Sequence, residues 1–142
     1  VMVNYVYRVG RDALKKLLEF LKAIPESTEG IAGDAIRVLG LFYGVLWQSE
    51  LLSEMIALRV TLGEPEESVS FRDVERAVKM LEERGIVSVE DRLRASLSNV
   101  RGVPDKLVKL VGYPELLKVL VVDERMQRYL IARRGILRRG NS

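Results

Sequence analysis

The 142-residue chain contains no cysteine and no histidine. Without thiols it can form no disulfide, no thiolate zinc site and no cysteine nucleophile, and without imidazole it lacks the commonest general base and metal ligand. A phosphate-cradling glycine loop, a serine elbow and metal-ligand spacing are also missing, so no metal, cofactor or enzymatic activity is expected. No uncharged run reaches 18 residues, and the apolar stretch Val1–Val9 is too short and too close to Arg8 and Arg11 for a signal peptide. A cytoplasmic protein without membrane contact is the expectation. Asn (three) and Gln (two) are scarce while Arg outnumbers Lys by 16 to 7, a depletion of thermolabile groups that suggests a thermophile.

The charge that is present is unevenly placed. Residues 1–91 hold 11 basic and 16 acidic side chains, a net −5, whereas residues 92–142 hold 12 and 4, a net +8. A basic C-terminal third suits an anionic partner such as nucleic acid or an acidic protein face, and equally a solvated Arg-rich surface. The length fits a single domain able to bury its own core.

Along the chain, Val3, Tyr5, Tyr7 and Val9 alternate as in a short strand ended by Gly10. From Arg11 to Ile24 the apolar Leu14, Leu17, Leu18, Leu21 and Ile24 fall on one helical face, and Pro25 closes the pattern. Glu26–Gly33 reads as a loop, with Asp34 as the N-cap of a helix over Ala35–Trp47. That helix is apolar on nearly every side, its sole charge being Arg37, as for a helix surrounded by others. Gly40 and Gly44 lie one turn apart and suit close backbone packing. Ser49 can cap a further helix over Glu50–Leu62 with Gly63 as its stop, though 34–62 can also run on as one helix.

The segment Ser70–Val89 carries the most information. Ser70 with Asp73 resembles a capping box, Phe71, Val74, Ala77, Val78 and Leu81 span one helical face, and Gly85 ends the helix. Arg72, Arg76, Lys79 and Glu83 sit opposite the apolar face, with the three cations leading. Ile86–Val89 then switches to a β-type apolar run. Glu75 and Lys79 are spaced for an i,i+4 ion pair, so the basic face also reads as an ordinary solvated one.

Asp34–Trp47, Glu50–Leu62, Ser70–Gly85 and Ile86–Val89 resemble the three helices and first wing strand of the winged helix-turn-helix superfamily of bacterial and archaeal transcription regulators. The phrase Val78-Lys79-Met80-Leu81-Glu82-Glu83-Arg84-Gly85-Ile86-Val87 is similar to its helix-to-wing junction. The resemblance implies a mainly α fold with a small β-hairpin (α+β), a core over 34–100, and extensions over 1–33 and 101–142. It implies double-stranded DNA as partner, Arg72, Arg76 and Lys79 in the major groove, and a homodimer.

Past Val89, Glu90–Val100 with Arg92 and Arg94 reads as a wing loop or return strand. Pro104 suits the start of a short helix to Val111, closed by Gly112, and Pro114 starts another over Glu115–Lys118. The β-branched run Val119–Val122, a turn at Asp123–Met126 and Arg128–Ala132 suggest a hairpin, although Asp123 can also cap a helix through Met126, Tyr129 and Leu130. A hairpin would set Arg125 and Arg128 at its tip, with Arg133, Arg134, Arg138 and Arg139 following, where a wing touches phosphates. Asp123 and Glu124 read as a polar tip rather than a catalytic carboxylate pair.

Two features favour the alternative, a winged-helix protein-interaction module without direct DNA binding, and the +8 C-terminal third opposes it unless the partner is acidic. The connection Gly63–Val69 is longer than the usual turn and carries Glu64, Glu66 and Glu67, and the reading helix has zero net charge.

Overall fold

A computed structural model describes the backbone of residues 2–140 and the side chains of residues 12–136. The chain is mostly helical with one small antiparallel sheet, an α+β architecture. In order it forms α1 (Met2–Lys22), α2 (Thr28–Leu41), β1 (Val45–Trp47), α3 (Gln48–Thr61), a 3₁₀ turn (Glu66–Ser68) and α4 (Phe71–Glu83). β2 (Val87–Ser96), β3 (Asn99–Leu110), α5 (Tyr113–Leu120) and α6 (Glu124–Gly140) follow. Among the described residues no helix is long and apolar enough to cross a membrane.

The expected N-terminal strand is instead the first half of α1. A helix closes its own backbone hydrogen bonds, whereas a strand at Val3–Val9 would need a sheet edge. The loop expected over Glu26–Gly33 is helical from Thr28 onward: Ser27 caps α2, its Oγ accepting from the Gly30 N–H at 3.0 Å. The glycines that suggested a loop mark a close helix crossing. A Cβ on Gly30 would lie 1.9 Å from the Ile24 carbonyl oxygen, and one on Gly33 2.4 Å from that of Phe20, so only glycine lets α2 pass under the end of α1. Gly40 serves the same purpose one layer on, where a Cβ would strike Leu120 of α5.

The stretch 34–62 is two helices separated by a strand. α2 stops at Leu41, the chain turns through Tyr43 and Gly44 with positive φ of 60° and 85°, and β1 precedes α3. Ser49 is not a cap, because α3 begins at Gln48, and its hydroxyl donates to Asp105 across the sheet at 2.5 Å.

The sheet order is β1-β3-β2. β1 meets β3 only through Val45↔Lys109, Leu46↔Val108 and Trp47↔Leu107, while β2 and β3 run together from Val87↔Leu110 out to Ser96↔Asn99. The helix expected at Pro104–Val111 is therefore strand. Pro104, opposite Leu93, lies beyond the reach of β1, on the part of β3 with one neighbour, where its missing N–H costs no ladder bond on the free side. α5 starts near the expected Pro114, one residue earlier, after Gly112 at φ 69°. The hairpin expected over 119–132 is helical: Asp123 caps α6, its Oδ2 accepting from the Met126 N–H at 2.9 Å. The β-branched run is overridden because Leu120, Met126 and Tyr129 gain burial at helical spacing.

One core unites these elements, with Leu17 and Phe20 from α1, Ile36 and Leu39 from α2, Leu51, Met55 and Leu58 from α3, and Val74, Ala77 and Leu81 from α4. Val108 roofs it from β3 and Leu116, Leu120, Met126 and Tyr129 close it from α5 and α6. The α4 cap has both arms of a capping box, Ser70 Oγ accepting from Asp73 N–H and Asp73 accepting from Ser70 N–H. Replacing Ser70 by Ala is expected to cost about 1 kcal/mol in a urea titration.

Candidate nucleic-acid interface

The interface candidate is built around α4. Its buried stripe is Val74, Ala77, Val78 and Leu81, as the periodicity predicts. Phe71, expected on that stripe, is 51% exposed, because it occupies the first helical position, a turn beyond the core contacts. Arg72, Arg76 and Lys79 are exposed, and none makes an ion pair among the described residues. The Glu75–Lys79 pair allowed by spacing is not formed. Gly85, at φ 74°, reverses the chain after α4 so that Ile86 and Val87 drop back into the core and β2 leaves alongside the helix.

A groove of about 370 Å³ runs between α4 and the β2–β3 hairpin. Arg76 and Lys79 border it on one side and Lys106 on the other, with Glu75 and Glu82 along the helix and Gln48 and Val89 at its floor. Lys106 escaped the sequence reading because Pro104 suggested a helix start. The alternation of Val108 and Leu110 about Lys109 is the local signal of a strand there.

The hairpin cations are tied to carboxylates at its root. Arg92 contacts Glu90 at 2.6 Å, Lys109 reaches Glu90 at 3.5 Å, Arg94 donates to Asp105 at 3.1 Å, and Lys106 lies 3.8 Å from the exposed Asp91. The neighbouring charges of Arg92 and Lys109 hold the Glu90 carboxyl below its ordinary value. Partial burial would raise Asp105, and hydrogen bonds from Ser49, the Lys106 N–H and Arg94 outweigh it, so Asp105 too is lowered.

Arg125 has a different place from the expected hairpin tip. It is buried, with Nε 2.8 Å from Asp34 Oδ1 and Nη2 2.8 Å from Asp34 Oδ2, while Nη1 reaches Glu64 at 2.6 Å. Asp34, expected as an N-cap, is the fully buried centre of this cluster. Arg37 contacts it at 2.8 Å and Arg59 at 2.9 Å, and Arg37 also binds Asp123 at 2.7 Å. Burial alone would raise the Asp34 carboxyl, but the hydrogen bonds and charge of Arg125, with the charges of Arg37 and Arg59, hold it below its ordinary value. Burial opposes the charge of Arg125 as well, and Glu64 and Asp34 outweigh it, leaving that guanidinium more firmly protonated than usual. The cluster ties α2, α3, α6 and the Gly63–Val69 connection together. Glu64 is thus an internal ligand rather than a charge turned toward phosphates.

Arg128, Arg133 and Arg134 are exposed on α6. Arg128 lines a second cavity of about 480 Å³ with Leu18, Lys22 and Val122, sharing no residue with the α4 groove. Arg138 and Arg139 lie outside the residues whose side chains are described. The basic C-terminal third is therefore divided: part forms the hairpin beside α4 and part forms α6. Among the described residues no group of three or more carboxylates is placed to hold a metal ion. Comparison with protein-family models, curated proteins and solved structures gives no match.

Proposed function

We infer that the chain is a winged-helix protein that binds double-stranded DNA, acting as a transcriptional regulator. The observation that carries this reading is α4: a capped helix with its apolar stripe buried, Arg72, Arg76 and Lys79 unpaired on its open side, and a β-hairpin rising beside it. The element order α2-β1-α3-α4-β2-β3 with sheet order β1-β3-β2 supports it, since a winged-helix domain pairs a short strand after its first helix with the wing. In this reading the leading turns of α4 enter the major groove and the hairpin acts as the wing. Arg72, Arg76 and Lys79 meet base edges and phosphates, while Lys106 and Arg101 meet the backbone. Regulators of this kind read two half-sites as a homodimer, and the exposed apolar side chains of α6, Ile131 and Ile136, offer a place to pair.

A filter-binding titration on duplex DNA over a salt series tests it. With about five cations meeting phosphates, the logarithm of the association constant should fall against that of salt with a slope of about −4 to −5. No binding at about 50 mM salt with micromolar protein would overturn the reading. That outcome would favour the interaction module, for which Glu75 and Glu82 in the groove beside Arg76 and Lys79 are the specific support, as a mixed-charge groove suits a protein partner.

A further inference from the structure

The hairpin continues well beyond the body of the protein. Its last core-facing pair is Val89 with the buried Val108, Ser49 of α3 still holds Asp105 opposite Arg92, and beyond that pair the strands are mostly exposed. The four residues Leu93–Ser96 extend it by about 13 Å at the usual strand rise, and the turn follows. This outer arm, 93–104, contains Arg94 and Arg101 and no carboxylate, the nearest being Asp105 opposite Arg92 at its root. Root carboxylates engage Arg92 and Arg94, but Arg101 has no ion pair among the described residues.

The tip is apolar. Leu97 and Val100 are fully exposed, and Leu93, opposite Pro104, is 65% exposed. Local hydrogen bonds fix the turn that presents them: Ser96 Oγ accepts from the Ser98 N–H at 3.3 Å and Asn99 Oδ1 from the Arg101 N–H at 3.0 Å. Gly102, at φ 85°, sits where a Cβ would press on Leu93 and the Arg94 carbonyl, so the two strands of the arm approach closely there. An exposed ribbon that carries Arg94 and Arg101 and ends in two aliphatic side chains matches the apolar wedge by which proteins unstack a base step from the minor groove, with arginines on the flanking phosphates.

Resting on the DNA-binding reading above, we propose that Leu97 and Val100 insert into the minor groove beside the segment read by α4 and kink the duplex. The arm extends the same hairpin whose Val89 and Lys106 line the α4 groove, so a duplex seated on α4 lies beside its root. Charge selects the partner: Arg101 on the arm and the exposed Arg72, Arg76 and Lys79 of α4, none of them ion-paired among the described residues, suit a polyanion.

The experiment uses the full chain and an AT-rich duplex of about 30 base pairs carrying a dye at each end and 2-aminopurine at successive steps. The wild type should shorten the end-to-end distance, consistent with a kink of about 20–90°, and raise 2-aminopurine fluorescence at one step. Leu97→Ser with Val100→Ser should lose both signals while binding within about tenfold of the wild type, the remaining contacts being ionic. Unchanged circular dichroism would show that the substituted tip leaves the fold intact. Binding without bending by the wild type, or full bending by the double variant, overturns the wedge and leaves DNA binding standing. No binding by the wild type overturns both. If the double variant instead loses self-association in sedimentation, or loses binding to anionic phospholipid vesicles, with DNA bending unchanged, the tip belongs to a second copy or a membrane surface and the wedge is wrong.

Discussion

Replacing Asp34 by Asn is expected to destabilise the protein by about 3–5 kcal/mol, a large share of the stability of a domain this size. The carboxylate is fully buried and accepts hydrogen bonds from Arg37, Arg59 and Arg125, each on a different turn or helix. Arg37 would retain Asp123 and Arg125 would retain Glu64, but Arg59 would keep only Ser68 and the Pro25 carbonyl. Three largely buried guanidinium groups would then face one another with no charge between them. Guanidinium chloride titration followed by circular dichroism measures the loss, and a value under about 1 kcal/mol would show that the cluster is not what fastens α6. Glu64→Gln should cost less, because Glu64 is partly exposed and Arg125 keeps Asp34. The same geometry fixes the acid limb. Folded Asp34 binds its proton less tightly than an unfolded chain, whose carboxyl titrates near 3.8, so its contribution is complete at neutral pH. It is lost as pH falls from about 4 through the folded-state value, and the Asn variant should show a shallower decline of melting temperature over that range.

This cluster also shows where a single sequence stops being legible. α4 could be read because its signals are local: Ser70 and Asp73 three residues apart, apolar residues at helical spacing, and a glycine at the end. Asp34 could not, because a carboxylate before an apolar run looks the same whether it caps a helix or receives arginines 25 and 91 residues away. Gly30 and Gly33 misled for a related reason: their composition is that of a loop, and the cause is the approach of α1. Pro104 and the Val119–Val122 run were decided by neighbours, β2 in one case and the core beneath α6 in the other. Arg125 was consequently assigned to a surface when it is a buried fastener. Arg72, Arg76 and Lys79 were placed correctly on the open side of α4 because amphipathic phase alone determines that. Their nearness to Lys106 required the long-range pairing of β3.

The triple variant Arg72→Ala, Arg76→Ala, Lys79→Ala is expected to weaken duplex binding about 100-fold or more, at about 1 kcal/mol or more for each contact. It should also lower the magnitude of the salt slope by about 2.7, since three phosphate-neutralising charges are lost. Stability should change by no more than about 0.5 kcal/mol, because all three side chains are exposed and none is ion-paired among the described residues. That separation gives the experiment its meaning: a stable protein that loses both affinity and salt dependence has lost its anion-binding face, not its fold. Arg133→Ala with Arg134→Ala is the matched control, removing two equally exposed cations from α6. If the α6 pair carries the larger effect and the α4 triple leaves the slope unchanged, the polyanion lies along α6, and the α4 groove, with Glu75 and Glu82 among its walls, is free to take a protein partner.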